Sequence, residues 1–435
     1  MEPMNLLVTN TRNAQAYGII RALRPYAAKI VATMEGDNRF VARLSHAANS
    51  RLVDKRYYVP SPAQDWRAGR IQRENTAREE AYIQAILRIC ERERIDTVFP
   101  SFDPHVYVLS KNIERFKETG VLIPIPDYDS VVACLDKYRT IRAAQQIGFA
   151  CPKSYLPESE DDLRRIAEEV AFPLVVKPRF TAGGRGTQVV KDFSELSEKT
   201  RLVRERQGAP MIQEYIPGKQ NLNFQFILDR NGKQMSVVCD TNWYLSRIVQ
   251  NLSSGGESLA PNAYVANAVR LVQSLGSWGG GSVQTKIDHR DGIPKLLEIN
   301  PRLGVNLWRR TELGINAPLM CVKVARGEQL EAVKDYPIGK VLIDPIATIL
   351  GLGFNLLDLL IYRFRTGTGK SPLDSSNPPM ALKELLQHCK LTYLNDKKKI
   401  LSPYFRYFFQ DPLLSILWYL QFLMSALRCT NQLGR

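Results

Sequence analysis

Residues 279–302 restrict the fold of this chain more than any other stretch. The glycine-led apolar segment GGGSVQTKID and the segment LLEINPR flank His289-Arg290-Asp291-Gly292, so the two read as paired strands of one hairpin. Strand side chains alternate with period two, which predicts Glu298, Asn300 and Arg302 on one face. Oxygen donors from Glu298 and Asn300 suit Mg²⁺, which takes one or two carboxylates and fills its octahedron with water and nucleotide phosphate. Gln284, on the neighbouring strand, is expected to converge on the same metal-nucleotide site, and Arg302 to meet phosphate charge.

At 435 residues the chain exceeds a single core, and about three domains are expected. Its hydrophobic content of 44% is that of a globular protein. A net charge of +15 favours anionic partners, and it is spread diffusely apart from Lys397-Lys398-Lys399. No zinc spacing, RNA-binding aromatic signature or helix-turn-helix pattern accompanies it, which argues against nucleic acid. ATP and an acidic substrate account for the charge equally well. The seven cysteines, Cys90, Cys134, Cys151, Cys239, Cys321, Cys389 and Cys429, show no C-x-x-C pair and fit reduced thiols. MEPMNLLVTN lacks the basic and apolar regions of a signal peptide, so a cytoplasmic location is expected.

The chain opens as strand Met4 to Val8, a polar turn, helix Ala16 to Leu23 and strand Lys29 to Thr33, a β-α-β unit that implies a parallel sheet. It lacks G-x-G-x-x-G, which speaks against a dinucleotide. A helix over Glu79 to Arg94 leads to strand Asp96 to Pro100, and Ser101-Phe102-Asp103 falls in a loop at the carboxyl edge of the sheet. Asp103 is either a holder of a substrate amine or a helix N-cap. Beyond Pro124-Ile125-Pro126 come one helix over Ser130 to Gly148, an acidic helix over Ser159 to Val170 and a strand over Pro173 to Pro178.

In PLVVKPRFTAGGRGTQVV, Lys177 ends a strand and precedes Gly183-Gly184-Arg185-Gly186. Glycines let backbone N–H groups approach phosphate oxygens, and the lysine adds a point charge, although the spacing is not that of a Walker A loop. MIQEYIPGK is a strand running into a proline-glycine turn, a segment whose backbone can bind adenine.

This order of parts, Lys137 in a helix, Lys177 on a strand, the glycine loop, QEYIPG, then Gln284 and EINPR, resembles the ATP-grasp superfamily over roughly residues 4 to 326. It is most similar to the carbamoyl-phosphate synthase large chains and related carboxylate-amine ligases. The resemblance implies an α/β and α+β protein with three parts. These are a Rossmann-like N-terminal domain over residues 1–125, two α+β subdomains clasping ATP over 126–335 with a smaller lid at about 152–215, and a mainly helical, apolar extension over 336–435. It implies that Gln284, Glu298 and Asn300 hold Mg²⁺ (or Mn²⁺), that Lys137 and Lys177 bind ATP phosphates, and that Gly183, Gly184 and Gly186 form a lid. Gln213, Glu214, Tyr215 and Ile216 match the hinge beside adenine. The family places an acidic residue on the ribose; here Gln220 and Asn221 follow the hinge glycine, and an amide can hydrogen-bond a ribose. Arg302 would meet the transferred phosphoryl group. A homodimer is compatible with the resemblance.

Such ligases phosphorylate a carboxylate, and an amine attacks the acyl phosphate under a closed lid. No side-chain nucleophile is needed, so His46, His105, His289 and His388 are read as structural. Arg247 in NWYLSR is the candidate for gripping the substrate carboxylate or γ-phosphate, and Asn306 for lining the acceptor pocket. Two other readings stay open: a bicarbonate-activating enzyme, and a nucleotide-binding scaffold without turnover. The apolar stretches 343–362 and 413–427 are expected in a core, a subunit contact or a membrane interface, because the second, at 15 uncharged residues, is shorter than the roughly 20 a membrane span requires.

Overall fold

The computed structural model describes residues 2–36, 38–218, 220–243, 253–367, 399–406 and 410–420, with single positions 381 and 383. They form two compact units, one of residues 1–239 and 261–336, the other of 240–260 and 337–435.

The first unit begins with four parallel strands, β1 (Met4–Val8), β2 (Ala27–Glu35), β3 (Lys55–Val59) and β4 (Thr97–Phe99), in the order β3-β2-β1-β4. Their crossovers include helices Ala14–Leu23 and Ala77–Glu93. The second starts sharply because Thr76 accepts the Glu79 backbone N–H while the Glu79 carboxylate accepts the Thr76 N–H, a reciprocal cap. Tyr82, Ile83, Ile86 and Ile89 of that helix pack on Leu7, Val31 and Val98 of the sheet, and each such large-to-Ala change costs about 2–5 kcal/mol. All four strands point their carboxyl ends, and therefore Asn10, Glu35 and the 101–103 loop, to one edge.

A second layer holds β5 (Ser154–Tyr155), β6 (Leu174–Pro178), β7 (Gln188–Val190) and β8 (Pro210–Glu214), in the antiparallel order β5-β8-β6-β7. Helices Glu160–Glu169 and Phe193–Gln207 cover it through Leu163, Ile166, Leu196 and Val203. Next come β9 (Asn221–Leu228) and β10 (Gln234–Asp240); the chain leaves for β11 (Gly255–Leu259) of the second unit and returns with β12 (Gly279–Ile287) and β13 (Pro294–Asn300). The order β13-β12-β9-β10 contains the expected hairpin, with Gln284 directly opposite Glu298 and a bulge between Gln284 and Thr285.

In the second unit β11 pairs antiparallel with β14 (Val341–Ile343), which pairs parallel with β15 (Lys399–Leu401). Helix Pro345–Gly367 starts at Asp344, whose carboxylate accepts from Ala347 N–H, Ser402 Oγ and Tyr419 OH at 2.9, 2.8 and 3.0 Å. Burial pushes the Asp344 carboxyl above its ordinary range. Among the described residues no helix is long and apolar enough to cross a membrane. Ile349 and Leu360 are exposed on the first apolar stretch, and residues 412–420 of the second are helical.

Candidate functional site

The helix expected over Ser130 to Gly148 is two helices, Tyr128–Leu135 and Lys137–Gln146. Asp136 breaks it. At ψ 101° it leaves helical geometry, and its carboxylate accepts from the N–H groups of Tyr138 and Arg139 at 3.1 and 3.2 Å. Arg179 adds a fork to the same carboxylate at 2.8 and 2.6 Å. An acid just before a helical pattern is an N-cap signal. The consequence is that Lys137 begins a helix, where its charge opposes the helix dipole. Tertiary partners hold it there: Nζ donates to the Thr181 carbonyl at 2.7 Å and lies 3.5 Å from Glu298 Oε2.

Lys177 sits on β6 opposite Met211, with Nζ donating to Gln213 Oε1 at 2.7 Å. It is 6% exposed. Burial pushes its ammonium down to about 7, the charge of Lys137 adds to that shift, and Glu298 opposes it. Lys137 lies against Glu298 while Lys177 is bonded to Gln213, and an anion entering beside the two lysines would be met by excess positive charge.

Glu298 and Asn300 lie two apart on β13, and Glu298 faces Gln284 across the ladder. Asn300 Nδ2 is 3.4 Å from Glu298 Oε1, too far for a strong bond. The expected face ends there, since β13 stops at Asn300 and Pro301 follows. Arg302 is turned instead toward Asp103, to which Nε and Nη2 donate at 2.7 and 2.8 Å, and Nη2 also reaches Asn300 Oδ1 at 3.1 Å. Asp103 is correspondingly the first residue of helix Asp103–Lys111 rather than its cap, and its carboxylate is occupied by a guanidinium rather than a substrate amine.

Gly183, Gly184 and Gly186 all take positive φ, 66°, 66° and 76°. The loop closes on itself through Thr181 Oγ to Arg185 O at 3.0 Å and Thr187 N–H to Gly184 O at 3.1 Å. The Thr181 carbonyl ties the loop to Lys137, a link with no local sequence signal.

At the expected hinge, Gln213 is engaged by Lys177. The Glu214 N–H donates to Lys153 O at 2.9 Å, and its carboxylate accepts from Arg290 Nη2 at 2.5 Å and Lys153 N–H at 3.2 Å. The Tyr215 ring lies 5.0 Å from the Lys286 ammonium, and Ile216 is buried. The Gln220 carbonyl accepts the Ile287 N–H at 3.0 Å. Arg247 and His388 lie outside the described residues. Cys90, Cys134 and Cys321 are free thiols that burial pushes up to about 12, which leaves them protonated near neutrality.

Residues 136–333 match the family model for the carbamoyl-phosphate synthase L chain, ATP binding domain, and residues 72–124 that for the PylC-like, N-terminal domain. The chain is 22% identical over 272 residues to the carbamoyl phosphate synthase large chain, N-terminal section, of Methanopyrus kandleri, covering 59% of this chain and 48% of that one. Against the Campylobacter jejuni large chain it is 24% identical over 295 residues, 63% of this chain and 24% of that. The chain thus spans between a quarter and a half of these relatives. Among solved structures, a biotin carboxylase–ATP complex from C. jejuni superposes with TM-score 0.60 at 17% identity, over 77% of this chain and 74% of the other. An L-amino acid ligase from Bacillus licheniformis gives 0.56 at 19%, over 76% of each. At such identities the likeness is one of fold.

An α/β leading domain followed by two α+β layers, with Lys137 against Glu298 and Lys177 buried on the neighbouring layer, is the arrangement of the ATP-grasp fold. Over residues 136–333 the likeness is to the ATP binding domain of the carbamoyl-phosphate synthase L chain.

Proposed function

We propose that this protein is an ATP-dependent ligase that activates a small carboxylate as an acyl phosphate and couples it to an amine. The observation that carries the reading is the contact of Lys137 with Glu298, the residue opposite Gln284 and two positions from Asn300, whose charge also acts on the buried Lys177. A buried lysine shifted to about 7 is electrostatically under-compensated, and a polyphosphate between the lysines restores its charge. Gln284, Glu298 and Asn300 would hold Mg²⁺ or Mn²⁺, since their side chains offer the hard oxygen donors these ions prefer. When bound, the metal would supply positive charge at the phosphate tail.

The chain's own residues do the rest. Lys137 and Lys177 fix the phosphate tail, Tyr215 and Ile216 flank the adenine, and the Gln220 amide serves the ribose. The loop at Gly183, Gly184 and Gly186 covers the phosphates and keeps water from the acyl phosphate. Arg302 is a positioning residue, orienting Asn300 while braced on Asp103. In the first step a carboxylate oxygen attacks the γ-phosphorus, a new P–O bond forms, and the P–O bond to ADP breaks with its electrons on ADP. In the second the amine lone pair attacks the acyl carbon. A C–N bond forms, the C–O bond to phosphate breaks with its electrons on phosphate, and the surplus amine proton goes to solvent.

The test is ADP release by the full chain with Mg²⁺ and pooled carboxylates and amines, with products weighed by mass spectrometry. The expected product is the condensed pair, one water lighter than its parts, formed only with ATP. Release that requires bicarbonate and no amine would replace this reading with a carboxylase; no release under any combination would leave a nucleotide-binding scaffold.

A further inference from the structure

A cavity of 250 Å³ opens at the carboxyl edge of the first sheet, between the ends of β1, β2 and β4. The strand order reverses between β1 and β4, and open α/β sheets bind ligands in the crevice such a reversal leaves. Of its residues the sequence marks only Phe102, in the loop at the carboxyl edge, and His105, because the rest come from separate strand ends and the segment that follows β3.

Its floor is the buried carboxylate of Glu35, 4% exposed. Oε1 accepts from the Asn10 N–H at 2.9 Å and Thr33 Oγ at 2.8 Å, and Oε2 meets His105 Nε2. Asn10 donates its N–H from φ +51°, the left-handed region that asparagine tolerates better than most residues with a side chain. Arg12, Arg67 and Ser61 are among the residues that line the cavity. Phe102 lines one side, and its ring centroid lies 6.0 Å from the Arg302 guanidinium carbon, so the cavity adjoins the residue that orients Asn300.

A buried carboxylate complements an ammonium, and the two lining arginines complement a carboxylate. The volume lies just below the roughly 300 Å³ at which pockets for drug-sized ligands begin, which suits a metabolite of amino-acid size. We propose that this cavity binds a small amino carboxylate, with its ammonium at Glu35 and its carboxylate at Arg12 and Arg67, as one of the two organic co-substrates. The co-substrate role rests on the ligase reading; the binding site does not.

Calorimetry on the full chain without nucleotide tests the site, using glycine, β-alanine, L-alanine, L-aspartate and L-lysine, with ethylamine and propionate as half-ligands. At least one amino carboxylate is expected to bind roughly tenfold more tightly than either half-ligand, and Arg67→Ala and Glu35→Gln each to weaken it roughly tenfold. Arg67 is exposed, so its variant reports on the site even where Glu35→Gln disturbs the buried network. Absence of binding across the panel, or equal binding by the parent and both variants, overturns the proposal. Amino carboxylate binding by a protein that does not bind ATP would remove the ligase reading and leave the cavity assignment standing.

Discussion

Arg302 and Asp103, 199 residues apart in the chain, form a two-bonded fork at 2.7 and 2.8 Å, the guanidinium largely buried and the carboxylate almost wholly so. The pair fastens the end of β13, where Glu298 and Asn300 sit, to the first helical residue after β4.

Removing one member of a buried pair strands the other charge. Asp103→Asn is expected to lower unfolding stability by about 3 kcal/mol, whereas the double change Asp103→Asn with Arg302→Met recovers most of the loss. Urea unfolding of the parent, both single variants and the double variant measures the coupling. Independent, additive costs would show that the fork contributes nothing.

Lys177 predicts a proton-linked nucleotide affinity. Its ammonium sits at about 7 in the empty protein, and phosphate binding raises it toward the ordinary value of about 10.4. At pH about 8 ATP binding should therefore take up protons, and affinity should fall as pH rises above about 7 while staying flat below it. The empty fold shows the opposite trend, gaining stability between about pH 7 and 10 because the unfolded chain keeps the proton longer. Calorimetry in buffers of different ionisation enthalpy reads the uptake, and Lys177→Met should abolish it.

Glu298→Gln removes the charge shared by Lys137 and Lys177 and one oxygen donor of the proposed metal set. Turnover should fall by more than roughly a hundredfold with unchanged circular dichroism. The proton-uptake midpoint of Lys177 should also move lower, because Glu298 opposes its downward shift. Retained turnover, or an unmoved midpoint, counts against the cluster.

Gly218 takes φ 137°, and a Cβ there would stand 2.4 Å from the Ile287 carbonyl oxygen. Gly218→Ala should cost about 2 kcal/mol in thermal or urea unfolding, from strain and the displacement of the end of β12. It should also weaken ATP binding, since the turn joins the segment at Glu214 to Gln220.

Asp136 caps a helix and holds Arg179 with one carboxylate. Asp136→Ala should cost about 2 kcal/mol or more, and Asp136→Asn less, because the amide can still cap. ATP affinity should drop roughly tenfold in the Ala variant as Lys137 loses its anchor; an unchanged dissociation constant would separate the cap from the site.

What the sequence determined is what short range dictates. Strand Met4–Val8, the capped helix beginning near Glu160 and the hairpin of β12 and β13 were legible because period-two alternation, cap residues and turn residues are local properties. The expectation that the strands of Gln284 and Glu298 pair followed from the same pattern, and the register that sets the two directly opposite came with the structure. Tertiary structure decided the rest: that Arg302 serves Asp103, that Lys137 meets both Thr181 and Glu298, that burial shifts Lys177, and that Asn10, Glu35 and His105 enclose a cavity. Charge compensation and desolvation depend on which groups the folded chain brings within a few ångströms, and residues dozens to hundreds of positions apart carry no local mark of that proximity.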